Sequence, residues 1–311
     1  MSMIGNSPSS STTTTAGVSS PAPHRRVAFT IAAVIAGAVL AWAWSAELVD
    51  KQVGVRFADL FLGSSTDAIG GSLAGFAFAL VSGIAGTFTA CNIAVFGALP
   101  QVAGESGAGG GRRALLAPVG WLSAGMLSVA AIYGVVAVLA RDVLPQLSDD
   151  VTGSGMPVRL YQSIVVFGLI GLAFLYLGAA AFGYLPDPFA GRARARLIVL
   201  GALIGGFIVG RPYPMFRHLL EYAADTGNPL FGVLAMCLQS LGNIVVMVIF
   251  ALLLARLVRT GHGRWLADPG RAALVAGVAT VVLGTFLLLY WDVRLPARFG
   301  FGWFPIAPWN Q

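Results

Sequence analysis

Between Asp67 and Glu105 the chain carries no charged side chain, and the same holds from Ala114 to Ala140. Each stretch exceeds the ~20 apolar residues that cross a bilayer. With them, further apolar segments at about 27–44, 158–184, 195–215, 230–258 and 271–291 make seven. The composition agrees, at 57% hydrophobic and 10% charged over 311 residues, with a mean hydropathy of +0.81. An all-α integral membrane protein of about seven transmembrane helices is expected, with the lipid bilayer as its first partner. Forty glycines and 16 prolines fit this class, because small residues let helices pack closely and neighbouring helices re-satisfy interrupted backbone.

The net charge of +6 does not point to nucleic acid, since the basic residues fall in short clusters between apolar runs. Read as topology signals, they place the N-terminus inside and the C-terminus outside. Eleven arginines, including Arg25, Arg26, Arg112, Arg113, Arg192, Arg194 and Arg196, fall on the inner side, and eight basic residues fall elsewhere. A bacterial-type cytoplasmic membrane is the expected location.

Residues 1–24 form a Ser/Thr/Pro-rich tail with little to bury and are expected to be disordered. Residues 25–48 form an N-terminal anchor. Ala41-Trp42-Ala43 resembles an A-x-A cleavage site, so a cleaved signal peptide is the alternative, but the apolar run is longer than the ~7–15 residues usual in a signal. VGVRFADLFLG is expected to lie along the outer interface. Residues 293–311, rich in Phe, Trp and Pro, are expected to form an aromatic interfacial cap.

The six spans after the anchor divide into two groups of three, 67–185 and 192–292. The first span of each is Gly-rich and interrupted, by Thr89-Ala90-Cys91-Asn92 in one and by Arg211-Pro212-Tyr213-Pro214 in the other. An odd number of spans per group turns the second upside down, giving a 3+3 inverted repeat whose broken first helices meet near the midplane and form the site. Pro212 and Pro214 lack the N–H that a continuing helix needs, and Arg211 at such a break requires a polar partner.

This layout, with its two motifs, resembles the transmembrane domain of the cytochrome c biogenesis and thiol-disulfide interchange family of CcdA/DsbD type. The resemblance covers residues 67–292. That family carries a short Pro/Cys motif in the first span of each half. Cys91 matches one motif cysteine, Ala90 and Ala94 stand where prolines belong, and Tyr213 stands near the place of the other cysteine. Leu238-Gln239-Ser240-Leu241-Gly242-Asn243 is similar to the Gly-rich polar segment of the family's next helix. The resemblance implies thiol-linked redox transfer through Cys91, with a thioredoxin-like or cytochrome c maturation protein as partner and no cofactor.

From the residues themselves, the site-lining candidates are Thr89, Asn92, Arg211, Pro212, Tyr213, Pro214, Gln239 and Asn243. Gln239 and Asn243, four apart, share a helix face, while Cys237 lies ~200° round from Gln239 and points away. A reactive Cys91 needs a cation to hold its thiolate, and Arg211 is the evident one. Arg217, Glu221 and Asp225 describe an amphipathic interfacial helix with internal ion pairs, and Asp292 beside Arg294 reads as an interfacial anchor. Gly71/Gly75, Gly201/Gly205 and Gly206/Gly210 read as helix-packing faces. No metal-ligand spacing, Ser/His/Asp set or phosphate-cradling loop occurs. A solute or ion transporter, or a structural subunit of a membrane complex, stays open as the alternative on the same scaffold.

Overall fold

The computed structural model describes residues 23–45, 54–63, 69–87, 112–259 and 268–310. Its principal helices are α1 (Pro23–Ala43), α2 (Arg56–Leu62), α3 (Ser72–Gly86), α4 (Arg112–Leu139), α5 (Val158–Ala181), α6 (Ala193–Gly205), α7 (Phe207–Gly210), α8 (Pro214–Asp225), α9 (Pro229–Arg259) and α10 (Pro269–Leu287). A π-helical turn, Leu288–Arg294, continues α10 and leads into the short α11 (Leu295–Ala297). Among the described residues no strand forms, and six helical stretches are long and apolar enough to cross a membrane: His24–Ala43, Ala117–Leu139, Val158–Ala181, Ala193–Gly210, Pro229–Leu253 and Gly270–Ala297. The protein is an all-α membrane protein. α3, at 15 residues, falls short of that length, and residues 68 and 88–100 of the expected segment lie outside the described residues.

Contact register gives the relative directions of the helices. α3 and α9 are parallel, with Phe76 stacked on Phe231, Gly83 against the Gln239 backbone and Thr87 at Asn243. Parallel too are α4 and α6, where Arg194 lies over Trp121 and Gly205 meets Met126. Between α4 and α9 the register runs backwards, from Gly134 at Gly232 to Leu127 at Cys237. α5 opposes both α6–α7, with Ile170 at Gly206 and Phe167 at Gly210, and α10, with Gly178 at Val281 and Gly171 at Gly284. α1 follows α10, Gly37 meeting Thr285 while Trp44 meets Phe286. Hence α1, α4, α6–α7 and α10 point one way and α3, α5 and α9 the other. Direction alternates along the chain, and α3 has the sense required of a second crossing.

The tightest crossings are made by glycine, because no Cβ then separates the backbones. At Gly83, Gly125 and Gly201 a Cβ would strike a backbone carbonyl of the neighbouring helix, those of Gln239, Ile198 and Leu122 in turn. Gly201, Gly205, Gly206 and Gly210 pack as expected, as does Gly75 against Tyr222 and Phe231. Gly71 does not: its φ of 106° makes it the N-cap of α3, with open space around it.

Two large apolar cores result, with a small third around Ala33, Phe182 and Val281. One joins α1, α4, α5, α6–α7, α9 and α10 around Phe167, Phe174, Phe286 and Trp291. The other joins α3, α4, α8 and α9 around Phe78, Phe216, Leu219 and Met236. The α6–α7 span passes from the first to the second, Phe207 belonging to one and Ile208 and Tyr213 to the other.

Candidate functional site

Gly206 separates α6 from α7, an interruption that sequence reading places only at Arg211. After Gly210 the chain turns extended at Arg211 (ψ 111°) and Tyr213 (ψ 128°), and Pro214 starts α8 at its first position. The last carbonyls of a helix lose their intrahelical donors. Here the loss is compounded, since Pro212 and Pro214 have no N–H to offer Ile208 and Gly210. The Arg211 N–H turns to the Ile208 carbonyl at 3.5 Å, and two side-chain amides bond the neighbouring carbonyls: the half-buried Gln162 Nε2 donates to Val209 at 2.6 Å, and Gln146 Nε2 donates to Arg211. Gln146 sits in the 3-10 turn Pro145–Leu147 between α4 and α5 and is completely buried, so this turn plugs the break.

Arg211 is 3% exposed and so is held inside the protein. Its guanidinium donates to the Gly86 carbonyl at the end of α3 and lies 5.3 Å from the Tyr213 ring centroid. A cation at a helix C-terminus meets the negative end of the helix dipole. Gly86 leaves room for this contact, because a Cβ there would lie 2.8 Å from the guanidinium carbon, which would have to shift. Beside it, the Thr87 hydroxyl is 3.2 Å from Asn243 Oδ1, close to the middle of the 31-residue α9.

Gln239, one turn before Asn243, is completely buried, and neither of its amide atoms has a hydrogen-bond partner among the described residues. Cys237 faces the other way, its Sγ 3.8 Å from the Leu127 carbonyl on α4. Tyr213 is buried with its hydroxyl on Met215 Sδ at 3.3 Å. The structure therefore brings Arg211, Pro212, Tyr213, Pro214 and Asn243 together with the end of α3. Thr89, Cys91 and Asn92 lie outside the described residues, two to five positions beyond Thr87. Gly86 and Gln162 carry no sequence signal of a role; for Gln146 the one hint is its place directly after Pro145 in the loop between α4 and α5.

The ion pairs of α8 differ in part from expectation. Arg217 reaches Glu221 at 2.5 Å as expected, but also Asp149 at 2.5 Å, and Asp225 pairs with Arg141 at 3.0 Å rather than along its own helix. These pairs border a cavity of about 580 Å³ between the α4–α5 loop and α8. The Arg217 hydrogen bond and charge hold the Asp149 carboxyl below its ordinary range. Burial works against the Arg217 charge, but the bonds to Asp149 and Glu221 outweigh it and raise its pKa. Asp292 packs against Gly168 of α5, while Arg294 turns instead to α1. Among the described residues no group of three or more His, Cys, Asp or Glu side chains could hold a metal ion. Compared with known proteins, the chain matches no family model, no curated protein and no solved structure.

Proposed function

We propose that this membrane protein carries out thiol-linked redox transfer of the CcdA/DsbD type, with two inverted three-helix halves, 67–185 and 192–292, meeting at the Arg211 break. The N-terminus would face the cytoplasm of a bacterial-type inner membrane and the C-terminus the outside. The observation that carries the reading is the reach of Arg211 from the second half to the Gly86 carbonyl of the first, five residues ahead of Cys91. A guanidinium within reach of Cys91 would favour its thiolate over its thiol.

With Tyr213 in place of a second motif cysteine, every other sulfur in the cycle comes from a partner. The Cys91 thiolate attacks a partner disulfide, forming a mixed disulfide and releasing one partner thiolate. A reduced thioredoxin-like dithiol then attacks the Cys91 sulfur, completing reduction of the first partner, and its second thiol resolves the new mixed disulfide and regenerates the Cys91 thiolate. Two electrons pass from one partner to the other.

A second reading, a small-solute path on the same scaffold, is favoured by Gln239, whose buried amide has its whole hydrogen-bonding capacity unused. Acid-quench trapping of Cys91 in membranes, with and without a thioredoxin-like dithiol, tests the first. Redox transfer requires a change in the Cys91 redox state and a dead Cys91→Ser variant. An active Cys91→Ser with a dead Arg211→Ala leaves the solute path.

A further inference from the structure

The end of α1 is held by the last residues of the described chain. Arg294 Nη1 donates to the carbonyls of Ala41 at 2.5 Å and Trp44 at 2.7 Å. Trp309 Nε1 donates to the Ala43 carbonyl at 2.9 Å, and Asn310 Nδ2 to that of Trp44 at 3.0 Å. The Trp309 ring meets Trp42 edge to face, with centroids 5.3 Å apart. At the other end of the span, Arg26 Nη1 reaches the Phe182 carbonyl at 3.3 Å, and midway Gly37 seats α1 on Thr285 of α10.

These contacts fall on the segment whose sequence resembles a signal-peptidase site, Ala41-Trp42-Ala43. Hydrolysis there would require water to add at the Ala43 carbonyl and split the bond to Trp44. The protease would have to take this segment in extended form, with the small side chains of Ala41 and Ala43 in its pockets. In the structure Ala41 is wholly buried, its carbonyl is held by Arg294, and the Ala43 carbonyl accepts from Trp309.

We infer that α1 is a permanent helix of the bundle and that its processing-like site is masked by the C-terminal segment, with Arg294 and Trp309 as the latch. Residues about 250 positions further along the chain thus fix α1 in place. Charge plays a part, because Arg294 caps the carbonyl end of α1 as Arg211 caps that of α3. The inference does not depend on thiol transfer.

The test uses the full chain in detergent micelles, exposed to a purified signal peptidase that cleaves after A-x-A, followed by N-terminal sequencing. The natural chain is expected to stay intact. The double variant Arg294→Gln/Trp309→Phe is expected to yield a chain beginning at Trp44, at least about tenfold faster than the natural one, as the carbonyl hydrogen bonds are lost. Adding Ala43→Lys is expected to stop that cut. Cleavage of the natural chain after Ala43 overturns the inference, and so does a double variant cut no faster than the natural chain. A shortened product that persists with Ala43→Lys marks general proteolysis of a loosened fold and overturns the masking equally.

Discussion

Gly86 is a glycine because Arg211 fills the space where its side chain would be. Gly86→Ala should therefore expel the guanidinium from the end of α3 and destabilise the protein by about 1–3 kcal/mol, the usual penalty for overpacking. Gly120→Ala on α4, where a Cβ meets nothing, should lose nothing in the same detergent melting experiment, since alanine is the better helix former. Equal melting of the two variants would separate Gly86 from Arg211. Gln146 makes the complementary case. Gln146→Ala leaves the Arg211 carbonyl buried without its donor, with an expected loss of about 1–3 kcal/mol in the same assay. The position of Arg211 was legible in the sequence, because two prolines within three residues force a break. Its partners were not, since Gln146 in a short loop reads as a solvated residue until the turn is seen to fold inward. That Cys237 faces away from Gln239, toward α4, followed from helical phase alone.

The plug formed by the Pro145–Leu147 turn belongs to an element tied to α8 by charge, and this tie has a direction in pH. Asp149 is largely exposed and its carboxyl is held below the ordinary value by Arg217. Its contribution is complete above the ordinary carboxylate pKa of about 3.9 and disappears as pH falls through the lower value. Limited proteolysis of the 140–157 loop should therefore quicken only in acid, below about pH 4. Asp149→Asn should remove the acid step and show the faster rate throughout. An unchanged neutral rate in that variant would mean that the apolar plug, and not the ion pair, sets the position of the loop. At this scale the sequence read α8 well in its amphipathic form, with Met215, Phe216, Leu219, Leu220, Ala223 and Ala224 buried. It misplaced the partner of Asp225, because an i, i+4 neighbour is visible in sequence while Arg141, at the end of a helix distant in the chain, is not. The break at Gly206 was hidden for the opposite reason: Gly205-Gly206 is ordinary in a close-packed membrane helix.

Across the bundle, α3 crosses α9 as α6 crosses α4, while α4 meets α9 and α5 meets α10. A two-fold axis relating two three-helix halves exchanges the first two interfaces and maps each of the others onto itself. The glycines follow the same rule. Gly83 of α3 and Gly242 of α9 make one crossing, Gly201 of α6 and Gly125 of α4 the other, and the chain spacing from Gly83 to Gly201 differs by one residue from that between Gly125 and Gly242. Charge depletion made the spans legible, but not these crossings, because 40 glycines leave no way to tell which ones touch a neighbouring backbone. If the halves are related in this way, equivalent lesions are equivalent in effect. Gly83→Ala and Gly201→Ala each drive a Cβ into a backbone carbonyl that cannot move aside, and each should destabilise by about 1–3 kcal/mol, with similar shifts in thermal unfolding. Because the two crossings share the α4–α9 pair, the double variant should lose less or more than the sum of the singles, not the simple sum expected of distant independent sites. A large loss at Gly201 beside a negligible one at Gly83 would show that the α6–α4 crossing alone organises the bundle and that the apparent two-fold relation has no energetic counterpart.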